Sequence, residues 1–376
     1  MILVNEPLLD GNEKKYLAEC IDTGWISSAG TFVKRFEESF AGYLGLHHGV
    51  AVANGTAALE VALYALGLQA GDEVIMSSFT IISCATACIR LGIKPVLVDI
   101  DPEIWTMDVG QIEAKITDKT KAIMAIHIYG HAVDMDPIFK LSEKYNLKII
   151  EDAAEVQGAE YYSEHKGGQW LKCGAMGDIA ATSFYANKII TTGEGGMVVT
   201  DNEGYAERAR SYRNLCFKAT KRFLHTELGY NFRMTNLQGA LGLAQCEQIE
   251  RFVKIKKERG EYYREKFKDV DGVRFMPQKE WARSVYWMYG IELDPKLGLN
   301  AEDVMTRLKK YKIGTRPFFL GLHAQPVLHD LDLFVGEDYP KTDFAYKYGL
   351  YLPSGLTITN EQIEEVVAAV KAEIAS

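Results

Sequence analysis

The sequence predicts an α/β protein in which a large domain, built on a mainly parallel sheet flanked by helices, is followed by a smaller α+β domain. Three observations carry this expectation. Short apolar runs alternate with helical patterns over the first two-thirds of the chain, as parallel strands joined by crossover helices require. Most of these runs are near-continuous in Val, Ile, Ala or Met, which suits strands covered on both faces. A long charge-rich helical stretch, roughly 236–267, then leads into a tail with fewer strand patterns.

Taken in order, strands are expected over residues 50–53, 73–78, 95–100, 122–127, 148–151, 180–185 and 197–200, which makes a seven-stranded sheet. Helices are expected over 56–66, 81–91, 136–145 and 207–213, between or after those runs. Beyond the stretch at 236–267 come an apolar segment at 286–293, a helix near 301–311 and a closing helix near 360–375. The expected division is a large domain over 1–250 and a smaller one over 251–376, with the boundary inside 245–270. No internal repeat, low-complexity tract or Pro/Ser-rich linker interrupts the chain.

The 376 residues suffice for two such domains with a sizeable core. Apolar residues make up 47% and charged residues 25%, the balance of a globular protein. A net charge of −9 argues against nucleic-acid and membrane-surface partners, which need a basic face. The N-terminal segment has neither a basic run nor a long apolar one, and no stretch of eighteen apolar residues follows, so a cytoplasmic protein is expected. The six cysteines are scattered without a CxxC pair, which predicts reduced thiols and no metal site.

Three segments carry chemistry. Ser183-Phe184-Tyr185-Ala186-Asn187-Lys188, followed by Thr192-Gly193-Glu194-Gly195-Gly196, places a lysine just past a buried strand, where α/β sheets put ligands. Glu151-Asp152-Ala153-Ala154-Glu155 ends another buried strand with acids, which burial penalises unless they are paired. Asn54-Gly55-Thr56 joins a strand to a helix start, where exposed N–H groups favour an anion. Each has an ordinary explanation alone: a solvated lysine, an Asp capping a turn, an Asn or Thr capping a helix. Together they supply what pyridoxal phosphate needs, namely a lysine for covalent attachment, an acid for the ring nitrogen and an anion site.

Through these segments the chain resembles the sugar-nucleotide aminotransferases of the DegT/DnrJ/EryC1/StrS family, fold-type I pyridoxal-phosphate enzymes, nearly end to end. Further markers are Trp25-Ile26-Ser27-Ser28, Gly71-Asp72-Glu73-Val74, His127-Ile128-Tyr129-Gly130-His131, Gly229-Tyr230-Asn231-Phe232-Arg233-Met234, Tyr286-Trp287-Met288 and Arg316-Pro317 with His323. The resemblance implies a fold-type I large domain and pyridoxal phosphate held covalently by Lys188, which then moves protons. It implies that Asp152 keeps the ring nitrogen protonated, and that Gly55, Thr56 and Ser183 hold the phosphate. Asn231 would reach the phosphate of a neighbouring subunit, which implies a homodimer with shared sites. Glu155 would lie near the ring hydroxyl or substrate, and Trp25, Arg233, Arg316 and His323 are the candidate substrate contacts. The strings around Trp25, Glu155, Lys188 and Arg233 are closest to members that aminate C4 of a GDP-linked 4-keto-6-deoxy sugar with glutamate as donor, releasing 2-oxoglutarate.

Two departures from the family pattern bear on the substrate. Ile81 follows Ser78-Phe79-Thr80 where many relatives carry an aromatic that stacks on the cofactor ring. The segment 162–177 is longer than the pattern predicts. Alternatives are a C3 or C4 aminotransferase using UDP- or dTDP-sugars, and a non-catalytic cofactor-binding regulator. The relatives that dehydrate sugars carry histidine where this chain has Lys188. His127, His131, Tyr286, Trp287, Phe318 and Phe319 are expected to be structural or core residues.

Overall fold

A computed structural model describes residues 1–218 and 220–375. All seven expected strands form, and they lie in one sheet. Their order is His48–Val52, Gly196–Thr200, Ile179–Ser183, Lys148–Asp152, Thr120–Ile126, Glu73–Ser77, Lys94–Val98. The five from Ile179–Ser183 to Lys94–Val98 run parallel, and Gly196–Thr200 runs antiparallel to both its neighbours. Every residue of Glu73–Ser77, Ile179–Ser183 and Gly196–Thr200 is buried. That burial on both faces is why these strands read as unbroken apolar runs.

The helices that position the site begin where the sequence supplies caps. Gly55–Leu66 starts at Asn54, whose side chain accepts from the Ala57 N–H at 2.9 Å. Glu203–Tyr212 starts earlier than expected because Asn202 caps it through Tyr205 N at 3.0 Å. Near the N-terminus two unexpected helices form, Glu13–Thr23 and Thr31–Leu44, and both pack on Asn236–Cys246. Thr31–Leu44 buries Phe32, Val33, Phe36 and Phe40, the one-sided spacing of an amphipathic helix.

The stretch 236–267 divides into two helices, Asn236–Cys246 and Ile249–Phe267. The first is apolar and mostly buried, while the second is amphipathic. The expected division after residue 250 therefore falls just inside the second helix. The apolar segment 286–293 forms a strand only from Tyr289, because Tyr286 adopts a left-handed φ of 47° that no strand continues.

The smaller sheet is antiparallel, in the order Val273–Phe275, Tyr289–Leu293, Gly349–Leu352, Arg316–Pro317. The first residues of the chain dock beside it: Ile2 bridges Ile313, and Val4 O accepts from Ser354 N at 2.9 Å. The segment 162–177 contributes to a third sheet, a hairpin of Glu160–Ser163 and Gln169–Lys172 extended by Ala282–Arg283. Its turn uses Gly167 and Gly168 at positive φ. All six cysteines are buried and unpaired. No helix among the described residues is long and apolar enough to cross a membrane.

Candidate active site

A cavity of about 380 Å³ opens at the C-terminal ends of the parallel strands. Asp152 closes Lys148–Asp152, Ser183 closes Ile179–Ser183, and Gly55 and Thr56 start a helix; all line the cavity with Lys188. Register explains the convergence. Asp152 pairs with Ala181 on the adjacent strand, so residues far apart in sequence end on one rim.

Glu151 and Asp152 point to opposite faces, as consecutive strand residues must. Glu151 is saturated: it accepts from the N–H groups of Gly174 at 2.7 Å, Met176 at 2.6 Å and Gly177 at 2.7 Å. His127 Nε2 lies 3.0 Å from the same carboxylate, and His127 Nδ1 accepts from Val133 N at 3.0 Å. Those bonds assign the proton to Nε2 and make His127 a structural group, although its ring edges the cavity. Asp152 turns toward the cavity. Its Oδ1 accepts from Ala154 N at 3.1 Å, and Oδ2 meets the Cys84 thiol at 3.2 Å. Burial, reinforced by Asp152, holds the Cys84 thiol far above its ordinary range, so it stays neutral beside that carboxylate.

The Lys188 amine sits 3.8 Å from Glu155 Oε1 and 3.7 Å from the centre of the Trp287 ring. Glu155 Oε2 accepts from Tyr129 N at 2.8 Å, where Tyr129 and Gly130 turn the chain at positive φ. Burial raises the Glu155 carboxyl to about 7 against the opposing pull of Lys188. Burial also lowers the Lys188 amine, with Glu155 and Asp152 resisting. One acid and one base are thus brought toward each other across a short gap.

The third wall is the candidate anion cradle. Ala58 N makes the first intrahelical bond to Asn54 O, so the N–H groups of Gly55 and Thr56 stand ahead of it. The Thr56 and Ser183 hydroxyls flank them. A Cβ on Gly55 would lie 2.8 Å from Ser183 Cβ, and one on Gly196 would lie 2.4 Å from Asn54 O. Helix start and strand end therefore meet backbone to backbone. An anion, an acid-paired cation and a covalently anchored aldehyde are what this donor set accommodates, and pyridoxal phosphate carries all three.

The other sequence-derived candidates lie elsewhere. Asn231 is exposed and bridged to Asn214, outside the cavity. Trp25 is exposed, with its carbonyl taken by Asn236 Nδ2 at 2.6 Å. Arg233 lines a separate cavity of about 500 Å³ with Arg210, Arg213 and Arg222. Arg316 is exposed and donates to Thr315 O at 2.9 Å. His323 is buried between Ser78 Oγ at 2.7 Å and Asp343 at 3.1 Å.

Conversely, Tyr351 reaches the cavity from the smaller sheet and Trp287 and Phe319 from beside it, and Asn187 and Glu194 also line it. No spacing pattern marks the three aromatics, since each lies in or beside a short apolar run. Ile81 edges the cavity and is half exposed, whereas Phe79 is fully buried against Tyr129, Phe318 and Phe319 and does not take its place.

Comparison with known proteins agrees with this geometry. The sequence pattern of the DegT/DnrJ/EryC1/StrS aminotransferase family matches residues 7–371. GDP-perosamine synthase of Caulobacter vibrioides is 40% identical over 98% of this chain and 97% of its own. GDP-perosamine synthase of Vibrio cholerae is 37% identical over 99% of this chain and 98% of its own. The crystal structure of the aminotransferase TlmJ from Streptoalloteichus hindustanus superposes with a TM-score of 0.89 at 27% identity, covering 100% of this chain and 99% of that one. The chain belongs to the DegT/DnrJ/EryC1/StrS aminotransferase family, and it is a pyridoxal-phosphate-dependent sugar aminotransferase.

Proposed function

We propose that the protein transfers an amino group from glutamate to C4 of a GDP-linked 4-keto-6-deoxy sugar, the reaction of a GDP-perosamine synthase. The observation that carries this reading is the convergence of Lys188, Asp152 and the Gly55–Ser183 cradle on one cavity, in a chain 37–40% identical to relatives of that name.

Pyridoxal phosphate, when bound, supplies an electron sink for the pair left behind as a proton departs. The chain supplies the rest. Gly55, Thr56 and Ser183 bind the phosphate through N–H groups and hydroxyls. Asp152 offers its carboxylate to the ring nitrogen and favours that nitrogen's protonated form. The Lys188 amine, lowered by burial against the opposing pull of Glu155 and Asp152, accepts and returns the proton. Glu155 stands within one proton transfer of it and is itself poised near 7.

We infer that two copies complete each site. Ile81 and Tyr185 line the cavity yet are about half exposed, and Trp25, Ile26, Phe223, Leu224, Leu228 and Tyr230 add exposed apolar surface. A second copy covering that surface would bring Asn231 toward the phosphate cradle. Among the described residues the lining of the arginine-rich cavity holds no acid, and although Arg213 is paired with Glu37 behind it, Arg210, Arg222 and Arg233 suit it to a nucleotide diphosphate. Trp25, Arg233 and Arg316 remain our substrate contacts, whereas His323, with both ring nitrogens engaged by Ser78 and Asp343, supports the wall from behind instead of touching substrate. We divide the chain into 1–250 and 251–376 and place it in the cytoplasm, and its net charge of −9 disfavours nucleic-acid and membrane-surface partners.

The test is a panel of GDP-, UDP- and dTDP-linked 4-keto-6-deoxy sugars with glutamate, read by product mass and by the ring position of the new amine. The GDP-linked ketone should show the highest kcat/KM and yield the 4-amino sugar. Faster turnover of a UDP- or dTDP-linked ketone, or amination at C3, would overturn the assignment. Lack of turnover of every ketone by a protein that holds the cofactor would point to a regulator.

A further inference from the structure

Trp287 has the sequence context of a core residue, yet its indole forms part of the cavity wall and is held on every side. One ring face lies 3.7 Å from the Lys188 amine. The Nε1–H donates to Asn187 O at 2.7 Å, the carbonyl of the peptide bond that leads into Lys188. The same carbonyl accepts from Asn5 Nδ2 at 2.7 Å. The carbonyl of Trp287 in turn accepts from the buried amine of Lys256 at 2.8 Å. Its amide packs against Gly130, where an added Cβ would come within 2.6 Å of Trp287 N. The ring has little freedom to leave the amine.

We propose that Trp287 is a positioning residue for Lys188: its indole face seats the amine, and its N–H fixes the peptide carbonyl immediately before that lysine. A cation above an aromatic face is attracted by the ring quadrupole, most strongly for Trp and more strongly where water is excluded. The seat therefore favours the protonated amine, opposing burial, in the interval when the lysine is not covalently engaged. It also keeps the amine within 3.8 Å of Glu155. The fixed carbonyl limits rotation of the backbone that carries the side chain. The consequence for turnover rests on the aminotransferase reading, but the seat can be examined without turnover.

The experiment places tryptophan analogues at position 287 of the full chain by site-specific incorporation. A trifluorotryptophan keeps shape and N–H but drains the ring face. A benzothienylalanine keeps shape and face but removes the N–H. The first readout is the pH midpoint for acetylation of Lys188, followed by peptide mass in protein loaded with the amino form of the cofactor, in which the lysine is free. Trifluorination should lower that midpoint by about half a unit to one unit. An unmoved or raised midpoint would overturn the seat. The second readout is the rate of pyridoxal phosphate loss from the holoenzyme, which benzothienylalanine should raise several-fold; a wild-type rate would overturn the carbonyl clamp. If wild-type protein aminates no sugar ketone while the midpoint still falls, the function fails and the seat stands. If ketones are aminated and the midpoint does not move, the reverse holds.

Discussion

Lys256 and Lys188 are both buried, and burial lowers both amines, but their surroundings differ in kind. Lys256, on the helix Ile249–Phe267, donates to the carbonyls of Trp287 and Ser354, has no carboxylate partner among the described residues, and is lowered by burial to about 7. It ties that helix to two loops beside the smaller sheet. Lys188 has no comparable hydrogen bonds to carbonyls; it has a ring face, the Glu155 carboxylate and an open cavity. The difference teaches that a perturbed amine does not by itself identify a reactive lysine. Space for a reacting partner and a nearby acid do.

The strongest way to break the comparison is to remove each amine in turn. Lys188→Ala should abolish transamination and all borohydride-stable cofactor attachment in a protein that still folds, as circular dichroism would check. Attachment persisting in that variant, located by peptide mapping, would shift the role to another lysine. Next in size, Asp152→Asn should cost at least about two orders of magnitude in kcat with the fold intact by circular dichroism, because an amide hydrogen-bonds but carries no charge. Near-normal turnover would remove Asp152 as the ring partner.

A third test asks whether the surroundings of Lys188 extend beyond one chain, as those of Lys256 do not. Tagged heterodimers of Lys188→Ala and Asn231→Ala subunits hold one site with both residues intact. They should regain up to about half of wild-type activity if the site is shared. No rescue in verified heterodimers would confine both residues to the same chain.

The smallest effect belongs to Lys256→Met, which should keep cofactor attachment but lose about 1–3 kcal/mol of stability by leaving two buried carbonyls unpaired. Its pH dependence has a definite sign. The folded-state value near 7 lies below that of the unfolded chain, so between roughly pH 7 and 10 the unfolded state binds more protons. Wild-type stability from this group therefore rises with pH in that window and is fully penalised below it. The gap between wild type and Lys256→Met in urea melts should widen by up to about 1.4 kcal/mol per pH unit across it. A gap that narrows as pH rises would mean Lys256 is charged and compensated in the fold.

The central sheet was legible because buried parallel strands leave long apolar runs, and the three chemical segments were legible because each sits at a strand end. Elsewhere the sequence carried less. The hairpin of Glu160–Ser163 and Gln169–Lys172 is short, polar and only partly buried, so it showed no run to read. Glu13–Thr23 buries only Glu13, Tyr16 and Cys20, too few apolar positions for a period to stand out. Trp287 is a buried core residue, as its sequence context implies, and it also edges the cavity, which sequence does not reveal because core and cavity wall draw on the same residue types. What separates them is which face stays open, a property of the tertiary arrangement. His323 was singled out through resemblance, and its Ser78 and Asp343 bonds place it behind the wall rather than on it.

The backbone contacts at Gly55 and Gly196 bear on how such an enzyme changes over generations. Any side chain at either glycine would collide with Ser183 or with the carbonyl of Asn54. The floor of the anion cradle therefore admits almost no variation, because a substitution there would displace a helix from a strand. The rim is different: Ile81 and Tyr185 are half exposed and press on little within the chain. Within one chain, change is therefore easier at that rim than where the helix start meets the strand.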